Sequence, residues 1–250
     1  MSTYAVSDLH GCYNFYKQIK NFINPEDIVY CLGDCGDRGP LGWETIKAVA
    51  KDNQFIYLKG NHEDMLIKAM RDYLDDYVNS KNTHLLAQNG GMSTLNSWWI
   101  DDPNWHESWM KYIDSLPEFA TYENSRGHRI LLSHAGFTPY EGLPEPMVKN
   151  ELFENKHWAE KLLWDRNHFL DEWDECEYYK NTIIIHGHTP TLYLAEDLAL
   201  EELEPGALWY CDNHKCCIDS GACFTGICTL LNLDTFEEHI FEEVKNGKSE

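Results

Sequence analysis

Five short stretches carry residue types that hold divalent cations. They are Asp8-Leu9-His10-Gly11, Gly33-Asp34-Cys35-Gly36-Asp37-Arg38-Gly39, Gly60-Asn61-His62-Glu63, Ser133-His134-Ala135-Gly136 and His186-Gly187-His188-Thr189. Carboxylate and amide oxygens together with imidazole nitrogens form a donor set that hard and borderline ions accept. Two such ions a few Å apart can clamp an in-line displacement at phosphorus. Any one stretch is weak, because a Gly-Asp pair is usually a turn and a strand-end histidine is usually a satisfied polar residue. Together, each closing an apolar run, they point to metal-assisted chemistry on a phosphate.

The elements that must position them follow from periodicity. Apolar runs at Thr3–Ser7, Asp27–Leu32 and Gln54–Leu58 read as strands. Tyr13–Ile23 and Leu41–Ala50 have helical spacing, and helix resumes from about His62. The β-α-β-α-β-α order implies parallel strands with helical crossovers, an α/β class. Open α/β sheets bind ligands beyond the C-terminal ends of their strands, where the first three stretches fall. Asp8 and His10 are two residues apart, so an extended chain sends both side chains to one face. Arg71 to Pro117 reads as mostly helical and Trp-rich (Trp98, Trp99, Trp105, Trp109), a cap-like insertion with a turn at Asp101-Asp102-Pro103-Asn104. Runs at Arg129–Ser133 and Thr182–Ile185 lead to His134 and His186. Those at Cys216–Asp219, Ile227–Leu233 and His239–Val244 read as antiparallel strands of a second sheet, and Asn246–Glu250 as a frayed tail.

At 250 residues the expectation is one domain, residues 1–250. No apolar run reaches the roughly 20 residues that span a bilayer. Met1–Val6 has neither a basic n-region nor a long apolar stretch, so a cytoplasmic protein without membrane partners is expected. The net charge of −22 repels nucleic-acid backbones and anionic lipid, which argues against a nucleic-acid partner. Part of that acid belongs with bound cations. Nine cysteines, an odd number, read as reduced thiols. Cys211, His214, Cys216 and Cys217 cluster, but without the paired spacing of a zinc site.

The same motifs, with Gln88-Asn89-Gly90-Gly91, Leu116-Pro117, Leu163-Trp164-Asp165-Arg166, Gly187-His188-Thr189-Pro190 and Ile218-Asp219-Ser220-Gly221-Ala222, resemble the phosphoprotein phosphatase family of calcineurin-like metallophosphoesterases, in its bacterial and phage branch. The resemblance covers nearly the whole chain. It implies a β-sandwich flanked by helices, with a dimetal site at the C-terminal ends of the strands. Asp8 and His10 would hold one ion, Asp34 would bridge both, and Asn61, His134 and His188 would complete the second. The ions would be manganese, with iron or zinc as alternatives. A hydroxide bridging them would attack phosphorus directly. Arg38 and Arg166 would neutralise phosphate oxygens, since guanidinium forks match them. His62 would protonate the leaving oxygen, with Asp37 orienting its ring.

Gly36 and Ser220 stand where the branch more often has an aliphatic residue and a threonine; neither removes a ligand. His186 is read as a strand-end residue, Glu63 as serving the helix start, and Asp219 as a supporting carboxylate or part of a turn. His84, His106, His128, His157, His168, His214 and His239 match no motif.

The resemblance implies a phosphorylated protein or small phosphate ester as substrate, with protein serine/threonine phosphatase as the first reading. Dinucleoside tetraphosphate hydrolysis on the same fold is the alternative. A nuclease or cyclic-nucleotide phosphodiesterase fits less well, because no second histidine follows Gly187 and Asp37-Arg38-Gly39 is intact. An inactive binding module is disfavoured by the filled ligand positions.

Overall fold

The computed structural model describes residues 1–76, 80–136, 161–167, 169–170, 182–200, 205–210 and 213–243. His157, His168, Cys211 and the Asn246–Glu250 tail lie outside them.

The first three strands, β1 (Thr3–Val6), β2 (Ile28–Cys31) and β3 (Phe55–Tyr57), are parallel, as expected. Helices α1 (Tyr13–Phe22) and α2 (Gly42–Lys51) are the crossovers, and α3 (Asn61–Asp76) follows β3. The expected helical stretch resolves into α4 (Lys81–Gln88), α5 (Met92–Ile100), a 3-10 turn at Pro103–Trp105 and α6 (His106–Asp114). Asp102 caps the 3-10 turn by accepting the Asn104 N–H.

β4 (Phe119–Glu123), β5 (Arg129–Ser133), β6 (Thr182–His186), β7 (Leu208–Tyr210) and β8 (Lys215–Cys217) form the second sheet, in the order β4-β5-β6-β8-β7. The helix α7 (Thr191–Asp197) follows β6, and the short α8 (Ala222–Thr225) precedes β9 (Ile227–Asn232) and β10 (Glu238–Glu242).

Here one expectation is corrected. β9 and β10 are antiparallel, but they extend the first sheet, whose order is β10-β9-β1-β2-β3. β8 does join the second sheet, yet it runs parallel to β6. Alternation of apolar residues fixes which faces of a strand are buried, not which strand it pairs with.

The period of two decides the layers. Ala5, Leu32, Leu58, Leu231 and Leu233 of the first sheet meet Ile130, Leu132, Ile183, Ile185 and Cys216 of the second in a core between the sheets. Tyr4, Val6, Val29, Cys31 and Tyr57 face the other way, into a larger core with Phe15, Ile19, Trp43, Ile46, Leu86, Leu95, Trp98 and Ile113 of the helices. The 71–117 helices therefore share one core with α1 and α2. Full burial of such side chains stabilises by about 1.5–3 kcal/mol each. The result is the expected α/β sandwich flanked by helices. Among the described residues no helix is long and apolar enough to cross a membrane.

Candidate dimetal phosphoester site

All the expected cation-holding residues gather where the strands end. Asp8 and His10 follow β1, Asp34 follows β2, Asn61 begins α3 just after β3, and His134 and His188 follow β5 and β6. Asp8, His10 and Asp34 do not lie on extended chain. Their φ angles are 53°, 41° and 53°, and Asp37, Arg38 and His188 are also left-handed, at 66°, 60° and 68°. This corrects the argument from extended geometry for Asp8 and His10: tight turns aim the two side chains, and they still meet, His10 Nε2 lying 3.7 Å from Asp8 Oδ1. Left-handed backbone is uncommon for residues other than glycine and persists only where the surroundings enforce it.

Interlocking loops do the enforcing. The backbone N–H groups of His10 and Gly11 donate to the carbonyls of Asp34 and Cys35 at 2.9 and 2.8 Å, and Gly39 N–H donates to His10 O at 2.9 Å. Arg38 N–H donates to Gly90 O at 3.1 Å, which gives the Gln88–Gly91 stretch its task. Gly187 passes so close to Ser7 and Asp8 that a Cβ there would collide with both side chains. Next to it, the His188 N–H donates to Asp8 Oδ2 at 2.9 Å.

Asp34 is the meeting point. Its Oδ2 lies 3.4 Å from His134 Nε2, 3.6 Å from His10 Nε2 and 3.8 Å from His62 Nε2. Two groups of donor atoms share it: Asp8, Asp34 and His134 form one, and His10, Asp34 and His62 the other. Asn61 Oδ1 and His188 Nδ1 extend the first, at 2.8 and 3.1 Å from His134 Nε2 and 3.1 Å from each other. The grouping thus brings Asp8 toward His134 and puts His62 beside His10.

The chemistry of this donor set fits divalent ions. His10 Nδ1 donates to Gly36 O at 3.0 Å and His134 Nδ1 to Leu32 O at 2.8 Å, which aims each Nε2 inward. Burial lowers the pKa of His10 to about 3 and that of His188 to about 2, so both rings keep their lone pairs. Burial also opposes charge on His134, but the Asp34 and Asp8 carboxylates push its pKa up to about 10. The Asp34 and Asp8 carboxylates thus place negative charge around His134, as a cation site would.

The residues expected to handle the phosphate line up beside it. His62 Nδ1 meets Asp37 Oδ2 at 2.6 Å, and Thr94 Oγ1 accepts the Asp37 N–H at 2.9 Å. Arg38 reaches His10 Nε2 at 2.6 Å and His62 Nε2 at 3.0 Å. Arg166 is exposed and donates to Thr189 Oγ1 at 3.3 Å, next to His188. His186 is buried, with Nδ1 3.0 Å from Gly187 O.

Three supporting residues were missed or underread. Ser7 Oγ donates to Asp8 Oδ2. Glu63 does sit in the first turn of α3, but its buried carboxylate also accepts the N–H groups of Asp34 and Cys35. Asp219 is buried within electrostatic reach of Asp8, and burial together with the Asp8 charge raises its pKa well above the usual carboxylate range. The Cys211–Cys217 cluster does not assemble among its described members. Cys216 faces the core between the sheets, Cys217 packs on the opposite face with Phe169 and Leu194, and His214 is turned to Thr182 O. The described cysteines are free thiols.

Residues 1–213 match the family model described as Calcineurin-like phosphoesterase. The chain belongs to this family. A symmetrical bis(5'-nucleosyl)-tetraphosphatase of Buchnera aphidicola is 28% identical over 56% of the chain and 46% of that protein, so the match spans less than half of that relative's length. The asymmetrical bis(5'-nucleosyl)-tetraphosphatase PrpE of Anoxybacillus flavithermus is 25% identical over 93% of the chain and 90% of its own length. Among solved structures, a Saccharomyces cerevisiae protein serine/threonine phosphatase with similarity to human PP5 superposes with a TM-score of 0.59 at 13% identity, over 99% of this chain and 82% of that one. A protein provisionally identified as a diadenosine tetraphosphatase gives 0.55 at 16% identity, over 97% and 94%. At these identities the superpositions speak for the fold alone.

Proposed function

We propose that this calcineurin-like phosphoesterase hydrolyses phosphate esters with two divalent ions, manganese as the first expectation. The observation that carries this reading is the sharing of Asp34 by two groups of buried donors, with Arg38 and His62 beside them. Asp34 would serve both ions, Asp8 and His10 would hold one, and Asn61, His134 and His188 the other, with Asp8 within reach of His134 as well as His10. When bound, such a pair acidifies water and neutralises charge on the phosphate.

The chain's own groups do the rest. Arg38, with Arg166 nearby, binds phosphate oxygens through its guanidinium fork, leaving the two imidazoles it now touches. His62 holds a proton at Nε2 for the departing oxygen. Burial works against that proton, but the Asp34 and Asp37 carboxylates outweigh it and raise the ring's pKa. Asp37 fixes the ring through Nδ1.

Two substrate readings stand for what leaves. The sequence motifs, including Trp164-Asp165-Arg166, favour the side chain of a phosphorylated serine or threonine in a protein. The PrpE relative, matched over nearly the whole of both chains, supports a dinucleoside tetraphosphate with equal weight.

The test is a comparison of kcat/KM on manganese-loaded enzyme for a small aryl phosphate, a phosphothreonine peptide and diadenosine tetraphosphate. Turnover of none would overturn the phosphoesterase reading. A strong preference for the dinucleotide would overturn the protein phosphatase reading, and the reverse preference the other.

A further inference from the structure

Two aromatic side chains on the helices that follow the His188 and Asp219 turns have no part in the chemistry above. Tyr193 on α7 and Phe224 on α8 are each 52% exposed. Their rings are nearly parallel, 16° apart in plane, with centroids separated by 6.1 Å.

Both sit on helices that directly follow turns carrying site residues. Tyr193 is five residues beyond His188, and Phe224 five beyond Asp219. The two loops are tied together, since Thr191 N–H donates to Asp219 O at 2.8 Å. The Asp219 side chain in turn accepts the Gly221 N–H at 2.8 Å. Gly221 is left-handed at φ 71°, and the Phe224 ring fills the space where a Cβ would stand. Thr225 Oγ1 donates within the same turn, to Ser220 O or Gly221 O. Cys223, next to Phe224, lies within electrostatic reach of Arg38, Asp219 and Asp8. The Phe224 ring is thus held against the turn that follows Asp219, and the Tyr193 ring lies parallel to it.

We propose that Tyr193 and Phe224 form a stacking platform for a nucleobase of a dinucleoside polyphosphate whose phosphates enter the Asp34 site. This rests on the tetraphosphate reading and deepens it. Every base has a flat π face, and stacking on an aromatic side chain suits any of them. The acidic surface gives a polyanionic substrate no long-range attraction. Binding away from the metal site must therefore come from the uncharged end of such a molecule, and two parallel, half-open rings on the helices after His188 and Asp219 match that end.

The competing role is plain packing of α7 against α8, and leucine separates the two, since it packs but does not stack. Manganese-loaded wild type and Tyr193→Leu/Phe224→Leu are compared on diadenosine tetraphosphate and on the ringless ester glycerol 2-phosphate. The ratio of kcat/KM for the dinucleotide to that for the ester should fall about tenfold, mostly through KM. Tyr193→Phe, which keeps the ring, should hold the wild-type ratio. If the double variant does not fold, Tyr193→Leu alone should show a loss of at least threefold.

A ratio within twofold of wild type, while wild type cleaves the dinucleotide, overturns the platform and leaves the substrate reading standing. Wild type that cleaves a phosphothreonine peptide but not the dinucleotide overturns both.

Discussion

Glu63 accepts the backbone N–H of Asp34 at 2.7 Å. The same carboxylate takes the N–H of Cys35 at 3.0 Å, that of Gly60 at 2.8 Å and the Tyr57 hydroxyl at 2.6 Å. Burial and the Asp34 charge raise the pKa of Glu63, while the Tyr57 and backbone donors pull it back. One buried group therefore sets the loop that aims the Asp34 side chain.

Replacing it should separate shape from charge. Glu63→Gln keeps the volume but brings an NH2 group against backbone donors. It should lower stability by about 2 kcal/mol in denaturant unfolding. It should also weaken manganese binding measured calorimetrically, because Asp34 loses its fixed direction. Wild-type manganese affinity in the folded variant would refute a positioning role.

Asp34→Asn removes the charge common to both donor groups. The expected outcome is loss of bound manganese, counted by metal analysis after desalting. It should also abolish the rise in melting temperature that manganese gives wild type, a rise worth about 2.7 kcal/mol at a hundredfold excess over Kd. Two equivalents retained would remove Asp34 from the bridging position.

His62→Asn should act on turnover. Metal content is expected to stay at the wild-type level, while kcat falls by about 10²–10⁴-fold. Unchanged turnover would exclude the general-acid role. Loss of one ion would instead make His62 a ligand, as its place beside His10 and Asp34 allows.

Asp101 offers a pH test away from the site. It accepts Trp43 Nε1–H at 2.7 Å and Lys47 Nζ–H at 2.9 Å, joining α2 to the end of α5. The Lys47 and Trp43 bonds lower its pKa to about 2. A depressed carboxylate pKa stabilises the folded state above the unfolded value of about 3.9, and that contribution fades as pH falls toward the folded value. Asp101→Asn should therefore be less stable than wild type by about 1 kcal/mol at neutral pH. The gap in unfolding midpoints should narrow from about pH 4 down to about 2. A gap independent of pH over that range would show that the charge contributes nothing.

The candidate ligands are legible in the sequence because each stands at the end of an apolar run, in a residue type metals accept. Asp8, Asp34, Asn61, His134 and His188 all fall at such ends. Their supports were less visible because they act across the chain. Thr94 holds the backbone of Asp37, 57 positions earlier, and Glu63 holds that of Asp34, 29 positions earlier. Nothing local marks either partnership. β4 was passed over because it is only half buried, without a clean alternation, and β7 because three residues are too few to show a period. The placement of β9 failed for a different reason: strand pairing is a tertiary choice that Tyr4 and Asn232 make across most of the chain.

That pairing bears on how the protein is made. β1 gains one neighbour early, from residues 28–31, and the other only from residues 227–232. While the ribosome works through the intervening segment, the nascent β1 keeps a bare edge, and an exposed edge recruits other strands. Completion of the first sheet is therefore an event late in synthesis. A chain stalled before β9 leaves the loop of Asp8 and His10 on an unfinished sheet, where aggregation competes with folding.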